Sequence, residues 1–476
     1  MNVPVNVHGT QLRTRFVNIS IPGRPRLRPA REARRARTGV AVLFFVNGAL
    51  LSNLLPRYPE IKSDLDLSNV LIGAAVAAHP LGALISGLGA GILVRRFRSS
   101  RVAIGSSLVA AAALVLAGFA TEWVMLALAF FIAGAMDSLT DVAANSHGLR
   151  VQRFYGRSII NSFHAVWSIG AVAGGLTGAA AASLGVPLGT HILSAAIVLG
   201  LAAFASSRFL LPGSEPVAVG VGVAERLPVA EVEKNLSPAA RPRATLLPRY
   251  GVLLAFVIIA AGGAIVEEAG SSWSAIYLSG ALGATAFAAG LGFITLQSTQ
   301  VIGRLLGDRM VDRFGQRHVA RAGGFMVFVG MGTALAYPSV IITVLGFGLA
   351  GFGVATLIPG AMHAADELPG LRPGTGLTLV SWLLRVGFLI SPLIVGAVAD
   401  ASSLRFGLVL VPIAGVVVMV FAVAFPVRTT QPLDSTGTHT FSECPECQHD
   451  SDRFLLSHPD ETIPARSTHK RETHNE

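Results

Sequence analysis

Charge is what this chain has little of. Only 13% of its 476 residues are charged, 52% are hydrophobic, and the mean hydropathy is +0.61. Soluble domains carry about 25% charged residues, so the deficit argues against an ordinary soluble fold. Cysteine is equally scarce. Cys444 and Cys447 stand three apart in a polar stretch, too few for a disulfide framework and no guide to compartment. No Gly-rich loop ending in Gly-Lys-Ser/Thr occurs, which removes the usual basis for ATP drive. No catalytic triad or paired-histidine zinc helix is visible, so an enzyme is not expected. Glycine, by contrast, is abundant at 52 residues without a collagen period. That fits helices packing closely in lipid through small residues.

The charges that are present cluster between long apolar runs. Twelve such runs lie near 39–57, 69–94, 102–121, 123–148, 160–184, 187–211, 250–279, 284–310, 319–337, 339–363, 374–399 and 404–426. Each approaches or exceeds the roughly 20 residues a helix needs to cross hydrocarbon. The connections alternate in charge. Arg95, Arg96, Arg98 and Arg101, then Arg150, Arg153 and Arg157, then Arg313, Arg317 and Arg321 fall on one side, while "TEW", "GVPLGT", "SGALGAT" and "YPS" carry no Lys or Arg. Arg405 is the lone exception. This is the positive-inside pattern, with both termini expected in the cytoplasm. It accounts for the net charge of +10 without nucleic acid.

The expected organisation is a disordered basic arm over 1–38, with nine Arg and a single acid, Glu32. A six-helix bundle follows over 39–211, then a Pro-rich cytoplasmic linker over 212–248, a second six-helix bundle over 249–427 and a disordered hydrophilic tail over 428–476. "CPECQH" (444–449) in that tail has a Cys-x-x-Cys spacing, but lacks a second matching pair. Disorder is expected there, and no metal or cofactor.

The halves echo each other. "GILVRRFRSSR" (91–101) aligns with "DRMVDRFGQRH" (308–318) at an offset of 217 residues, as in carriers built from parallel six-helix repeats. On these residues the chain resembles the major facilitator superfamily, whose loop motif is Gly-x-x-x-Asp-Arg-x-Gly-x-Arg. In the second half Asp312, Arg313, Gly315 and Arg317 match, with Asp308 in the slot of the leading Gly and Gly307 one earlier. In the first half Gly91 and Arg96 match, while Arg95 replaces the Asp, Arg98 the Gly and Ser100 the last Arg. "DVAANSHGLRVQRFYGRSIINSFHAVWSIGAVAGGLTG" (141–178) and "EEAGSSWSAIYL" (267–278) resemble the YbjJ-like group of bacterial inner-membrane facilitators, distantly similar to fucose permeases. The resemblance implies an all-α integral membrane fold of 12 helices in two bundles (6+6), acting on a small solute in the inner membrane as a functional monomer. It also implies that the matched loop residues latch the cytoplasmic gate. The antiporter signature of the fifth helix is only echoed by Gly170, Gly174, Gly175 and Gly178, without its Pro.

An ionisable side chain inside a span costs about 2.5–3.5 kcal/mol on insertion scales, so each needs a reason. Glu267 and Glu268 lie in the seventh span. Neighbours in a helix point about 100° apart, so one of the two is expected to face a central cavity. A carboxyl shielded from water holds its proton more tightly, which suits proton coupling. Asp137 and Asp141 share a face of the fourth span at i, i+4, and Asp137 is the deeper. His79 and His164 could relay protons, since imidazole titrates at about 6.5, or simply pack. Asn47 and Asn53 could bind a polar solute or bridge helices. Trp167 and Trp273 could stack on a solute or serve packing. Arg385 could clamp a carboxylate or pair with Glu267 or an aspartate. Arg304 is expected to snorkel towards the basic loop.

The expected function is secondary transport of a small solute, coupled to protons, by alternating access of two bundles around a midplane site. Efflux of a drug or metabolite, or a non-transporting sensor or scaffold, are the alternatives. The partners are the solute, protons and the bilayer.

Overall fold

The computed structural model describes residues 31–155, 159–213, 246–368, 371 and 375–426. All regular structure among them is helical. The first half contains α1 (Arg31–Ser52), a short α2 (Tyr58–Asp64), α3 (Asn69–Phe97), α4 (Ser99–Gly118), α5 (Trp123–Tyr155), α6 (Ile160–Ser183) and α7 (Leu188–Ser206). The second contains α8 (Leu246–Gly280), α9 (Ala286–Phe314), α10 (Gln316–Ala336), α11 (Val340–Val354), α12 (Leu357–Asp366), α13 (Thr375–Ala401), α14 (Leu404–Gly407) and α15 (Leu410–Phe421). Helices are the natural solution for a chain this apolar, because they satisfy every backbone polar group within one segment.

Eleven spans among the described residues are long and apolar enough to cross a membrane, three of them combining adjacent short helices. The twelfth is α9. It has 29 residues, ample length, but it carries Gln297, Gln300, Arg304, Asp308, Arg309, Asp312 and Arg313. Its polarity is concentrated where it faces other helices and at its last turns.

The internal repeat holds its register. α3 and α9 both have 29 residues, and each boundary of α9 lies 217 positions after that of α3. Their caps correspond too: the Ser68 hydroxyl accepts from Leu71 N, and the Thr285 hydroxyl accepts from Ala288 N. At the far ends the charged "loops" shrink to one residue each. Arg98 (φ 72°, ψ 138°) separates α3 from α4, and Gly315 (φ 79°, ψ 150°) separates α9 from α10. Glycine is suited to that backbone and arginine is not. Asp312 and Arg313 therefore belong to the last turn of α9, and Arg95 and Arg96 to that of α3, instead of to loops.

The first helix begins at Arg31, eight residues before the expected edge of the basic arm. Arginine is a good helix former, and tertiary contacts hold this turn. Ala33 and Ala36 are buried, Arg35 lies over the Phe209 ring at 5.6 Å, and Arg37 over the Tyr155 ring at 5.6 Å. Residues 1–30, most of the linker (214–245) and the tail with Cys444 and Cys447 lie outside the described residues.

Arg405, the exception to the charge alternation, has a structural use. Its Nε donates to Leu335 O at 2.7 Å and its Nη2 to Ala336 O at 3.3 Å. It thereby caps the carbonyl end of α10, where a cation also complements the helix dipole.

Close packing through small residues builds the bundle. A Cβ on Gly134 of α5 would lie 1.9 Å from His79 O of α3, so only glycine lets these two helices meet. The halves touch each other at the end opposite the basic turns. There Gly73 of α3 packs on Pro392 O of α13, and Gly290 of α9 packs on Ala179 of α6.

Candidate functional site

A cavity of about 290 Å³ lies between the halves. Its wall draws on the middle of α1, α3, α5, α6, α8, α9 and α13, so both repeats contribute. Of the candidates read from sequence, Asn47, His79, Asp137, Trp167, Glu267, Glu268 and Arg385 all line it.

The first-half wall is ordered by one hydrogen-bond chain. Trp167 Nε1 of α6 donates to Asn47 Oδ1 of α1 at 2.9 Å, and Asn47 Nδ2 donates to Asp137 Oδ1 of α5 at 2.6 Å. Asn47 has both a donor and an acceptor, so it joins an indole that can only donate to a carboxylate that accepts. Three helices are thus tied together at the cavity face. His79 stands on α3 beside Pro80, which also lines the wall.

The second-half wall is more acidic. Both glutamates face the cavity, where one was expected. The concave wall wraps far enough around α8 to take two side chains about 100° apart, and each has its own partner. Gln300 Nε2 of α9 donates to Glu267 Oε2 at 2.8 Å, and Arg304 Nη2 stands 3.9 Å from the same oxygen. Ser272 Oγ donates to Glu268 Oε1 at 2.5 Å, and Glu268 also interacts electrostatically with the Tyr58 phenol from the other half. Arg304 therefore leans to Glu267, with its side chain 38% exposed at the protein surface. Arg385 of α13 interacts electrostatically with Asp137 and Asp141 across the gap. Among the described residues it makes no hydrogen bond and no ion pair.

The remaining candidates sit elsewhere. Asp141 lies one turn beyond Asp137 towards the basic end, where its Oδ1 accepts from Asn145 Nδ2 at 2.8 Å. His164 is exposed there, with its ring edge-on to Phe44 at 5.2 Å and with Asp141 and Arg304 as electrostatic neighbours. Both lie nearer the basic end than the cavity residues of their own helices, opposite the contacts that join the halves. Asn53 is turned away. It is buried between α1 and α6, its Nδ2 donating to Ala49 O at 2.8 Å and its Oδ1 accepting from Thr177 Oγ1 at 2.7 Å. Trp273 is buried against Gly73 of the other half and packs the interface.

The loop-motif residues gather at the basic end. A Cβ on Gly91 would meet the Arg95 guanidinium at 3.4 Å, Arg96 lies over the Phe97 ring at 5.7 Å, and Arg313 over the Phe314 ring at 5.5 Å. Gly307 packs on Thr356, which explains why the small residue sits there while Asp308 is exposed in the motif's Gly slot. Arg317 holds the end of the last span, with Nε donating to Phe425 O at 2.8 Å and Nη2 to Val423 O at 2.6 Å.

Sequence reasoning passed over Tyr58, Ser271, Ser272, Phe293, Gln297 and Phe388, all of which line the cavity. Gln297 and Gln300 were visible as uncharged polar residues within a span, a signal that counting ionisable groups alone leaves unused. Nothing in the sequence marks Tyr58, which enters from the short segment after α1.

The profile of the Major Facilitator Superfamily matches residues 40–277 and 252–443. The uncharacterized transporter y4wD of Sinorhizobium fredii is 28% identical over 384 residues, covering 81% of this chain and 96% of its own. Membrane protein MosC of Rhizobium meliloti is 29% identical over 389 residues, covering 82% and 89%. Among solved structures, a point mutant of the nucleoside transporter NupG aligns with a TM-score of 0.65 at 16% identity, covering 82% of this chain and 98% of its own. A D-xylose–proton symporter aligns with a TM-score of 0.61 at 18% identity, covering 84% and 98%. The narrower likeness to YbjJ-like and fucose-permease-like carriers rests only on the two segments that suggested it. The chain belongs to the Major Facilitator Superfamily and is a multi-pass membrane protein of the secondary-transporter kind.

Proposed function

We propose that this protein is a proton-coupled carrier of a small polar solute in the inner membrane, with the basic end and both termini in the cytoplasm. The solute binds in the 290 Å³ cavity, and the two halves rock to open it to each side in turn. The observation that carries the reading is that Asp137, fixed by Asn47 in one half, shares the cavity with Arg385 of the other, which makes no hydrogen bond or ion pair among the described residues. While Asp137 is ionised, Arg385 is drawn to it. When Asp137 takes a proton, the guanidinium is released to an oxygen acceptor of the solute. Proton and solute thereby enter together, and the membrane potential adds about 2.3 kcal/mol per charge and 100 mV.

The cavity chemistry favours a solute rich in oxygen and hydroxyl groups. Asn47, Gln297, Glu267 and Glu268 offer hydrogen bonds, and Trp167 and Phe293 offer flat apolar faces. The solved structures similar in fold include a nucleoside transporter and a D-xylose–proton symporter, both consistent with such a solute. The loop-motif residues at the basic end, Asp312 and Arg313 above all, serve as the cytoplasmic gate in this reading. Thermal stabilisation of the purified protein across a library of sugars, nucleosides, organic acids and drugs tests the solute class. Stabilisation by polar metabolites, lost in Arg385→Ala, is expected. Stabilisation confined to large apolar drugs would favour efflux, and no flux of any solute would favour a sensor.

A further inference from the structure

The start of α3 is completed by a residue from the other half of the protein. A helix N-terminus leaves its first N–H groups without partners. Ile72 N makes the first helical bond, to Ser68 O at 3.1 Å, and Leu71 N is taken by the Ser68 hydroxyl at 3.2 Å. The two N–H groups before these go to Asp400, near the end of α13. Asn69 N donates to Asp400 Oδ1 at 2.9 Å and Val70 N to Oδ2 at 2.8 Å, while Asn69 Nδ2 adds a third bond to Oδ1 at 2.8 Å. Gly396, one turn earlier in α13, packs on Asn69 O, so the carboxylate and the close backbone approach belong to one contact.

The repeat supplies an internal control. The start of α9 corresponds to the start of α3, and its cap Thr285 corresponds to Ser68. The residue 217 positions before Asp400 is Ser183, at the end of α6. Its hydroxyl donates to Ala180 O of its own helix at 2.8 Å and makes no bond to α9. At that equivalent junction the halves meet through Gly290 and Ala179, without charge. The cross-half cap is thus a feature of one junction and does not follow from the fold itself.

We propose that Asp400 is the latch of the end opposite the basic turns: it holds that end closed by capping α3, and its release lets that end open. A carboxylate complements both the free N–H groups and the positive end of the helix dipole. Asp400 is exposed and Asn69 half-buried, so water can replace these bonds when the halves part. That makes the contact reversible, as a latch requires and as a fully buried cap would not be. The proposal rests on the alternating-access reading.

The test uses the full chain in nanodiscs with Cys444 and Cys447 replaced by Ser. Spin labels are placed through Glu122→Cys and Tyr337→Cys, one at an exposed turn of each half at the latched end, and their separation is measured by double electron–electron resonance. Asp400→Asn keeps the side-chain shape but removes the charge. It is expected to shift the ratio of open to closed separations by about 5–30-fold towards open, equivalent to about 1–2 kcal/mol. Asn69→Ala removes one of the three bonds and is expected to move it less, in the same direction; it also decides the matter if Asp400→Asn fails to fold. Equal distributions in wild type and variants overturn the latch. If wild type nonetheless samples the wider separation, alternating access stands without the latch; if no chain samples it, both readings fall.

Discussion

Exchanging residues between the two equivalent turns is expected to move stability in opposite directions. Arg98 holds φ 72° and ψ 138° between α3 and α4, and Gly315 holds φ 79° and ψ 150° between α9 and α10. A non-glycine residue in such a region costs on the order of 1–3 kcal/mol. Glycine gives back about 0.5–1 kcal/mol through the greater freedom of the unfolded chain. Arg98→Gly is therefore expected to stabilise by about 1 kcal/mol, and Gly315→Arg to destabilise by about 1–3 kcal/mol. Arg98 also sits near Arg95, Arg96 and Arg101, so a charge control is needed. Arg98→Ala removes the charge but keeps the strain, and should stay close to wild type. Thermal unfolding in nanodiscs reads the difference: a kcal/mol shifts Tm by about 2–4 °C for domains of 150–250 residues, and less for a longer chain. If Arg98→Gly proves no more stable than Arg98→Ala, the strain argument is wrong.

Three further outcomes follow from the packing. Gly134→Ala puts a Cβ 1.9 Å from His79 O; the forced separation of α3 and α5 is expected to cost about 1–3 kcal/mol, read as a lower aggregation temperature. The Arg57 side chain is 1% exposed and bonded to Glu60 at 2.6 and 2.8 Å. Glu60→Gln is expected to cost up to about 3 kcal/mol, discounted because Glu60 itself is 33% exposed, and the double change Arg57→Met with Glu60→Leu to recover most of it. Asn47→Leu breaks the chain from Trp167 to Asp137 and is expected to lower solute flux in vesicles at least about ten-fold, the effect of about 1.4 kcal/mol at the barrier, and to lower Tm, because two part-buried polar groups lose their partner.

Helix number and the repeat were legible because both depend on where apolar runs stop. The 217-residue offset seen in Val94-Arg95-Arg96-Phe97 and Val311-Asp312-Arg313-Phe314 is the offset of the helix ends themselves. Helix rotation was not legible. α3 and α4 are apolar nearly all round over their spanning turns, and a helix of that kind has no polar face to declare which side meets the core. Asn53 at the end of α1 and Trp273 in α8, read as cavity candidates, pack between helices, while Glu268 joins Glu267 at the wall. The start of α1 was missed because four arginines in seven residues resemble a solvated arm, and only the Phe209 and Tyr155 rings reveal otherwise. Asp400 gave no local sign of its role, since its partners are 330 and 331 residues away.

In the proposed cycle, protons drive solute through this cavity by way of Asp137. The most direct test is solute uptake into proteoliposomes, with and without an inward proton gradient, using a solute identified by thermal stabilisation. Wild type is expected to concentrate the solute only when the gradient is present. Asp137→Asn is expected to exchange labelled for unlabelled solute but not to concentrate it. Gradient-driven accumulation by Asp137→Asn at the wild-type level would contradict the account.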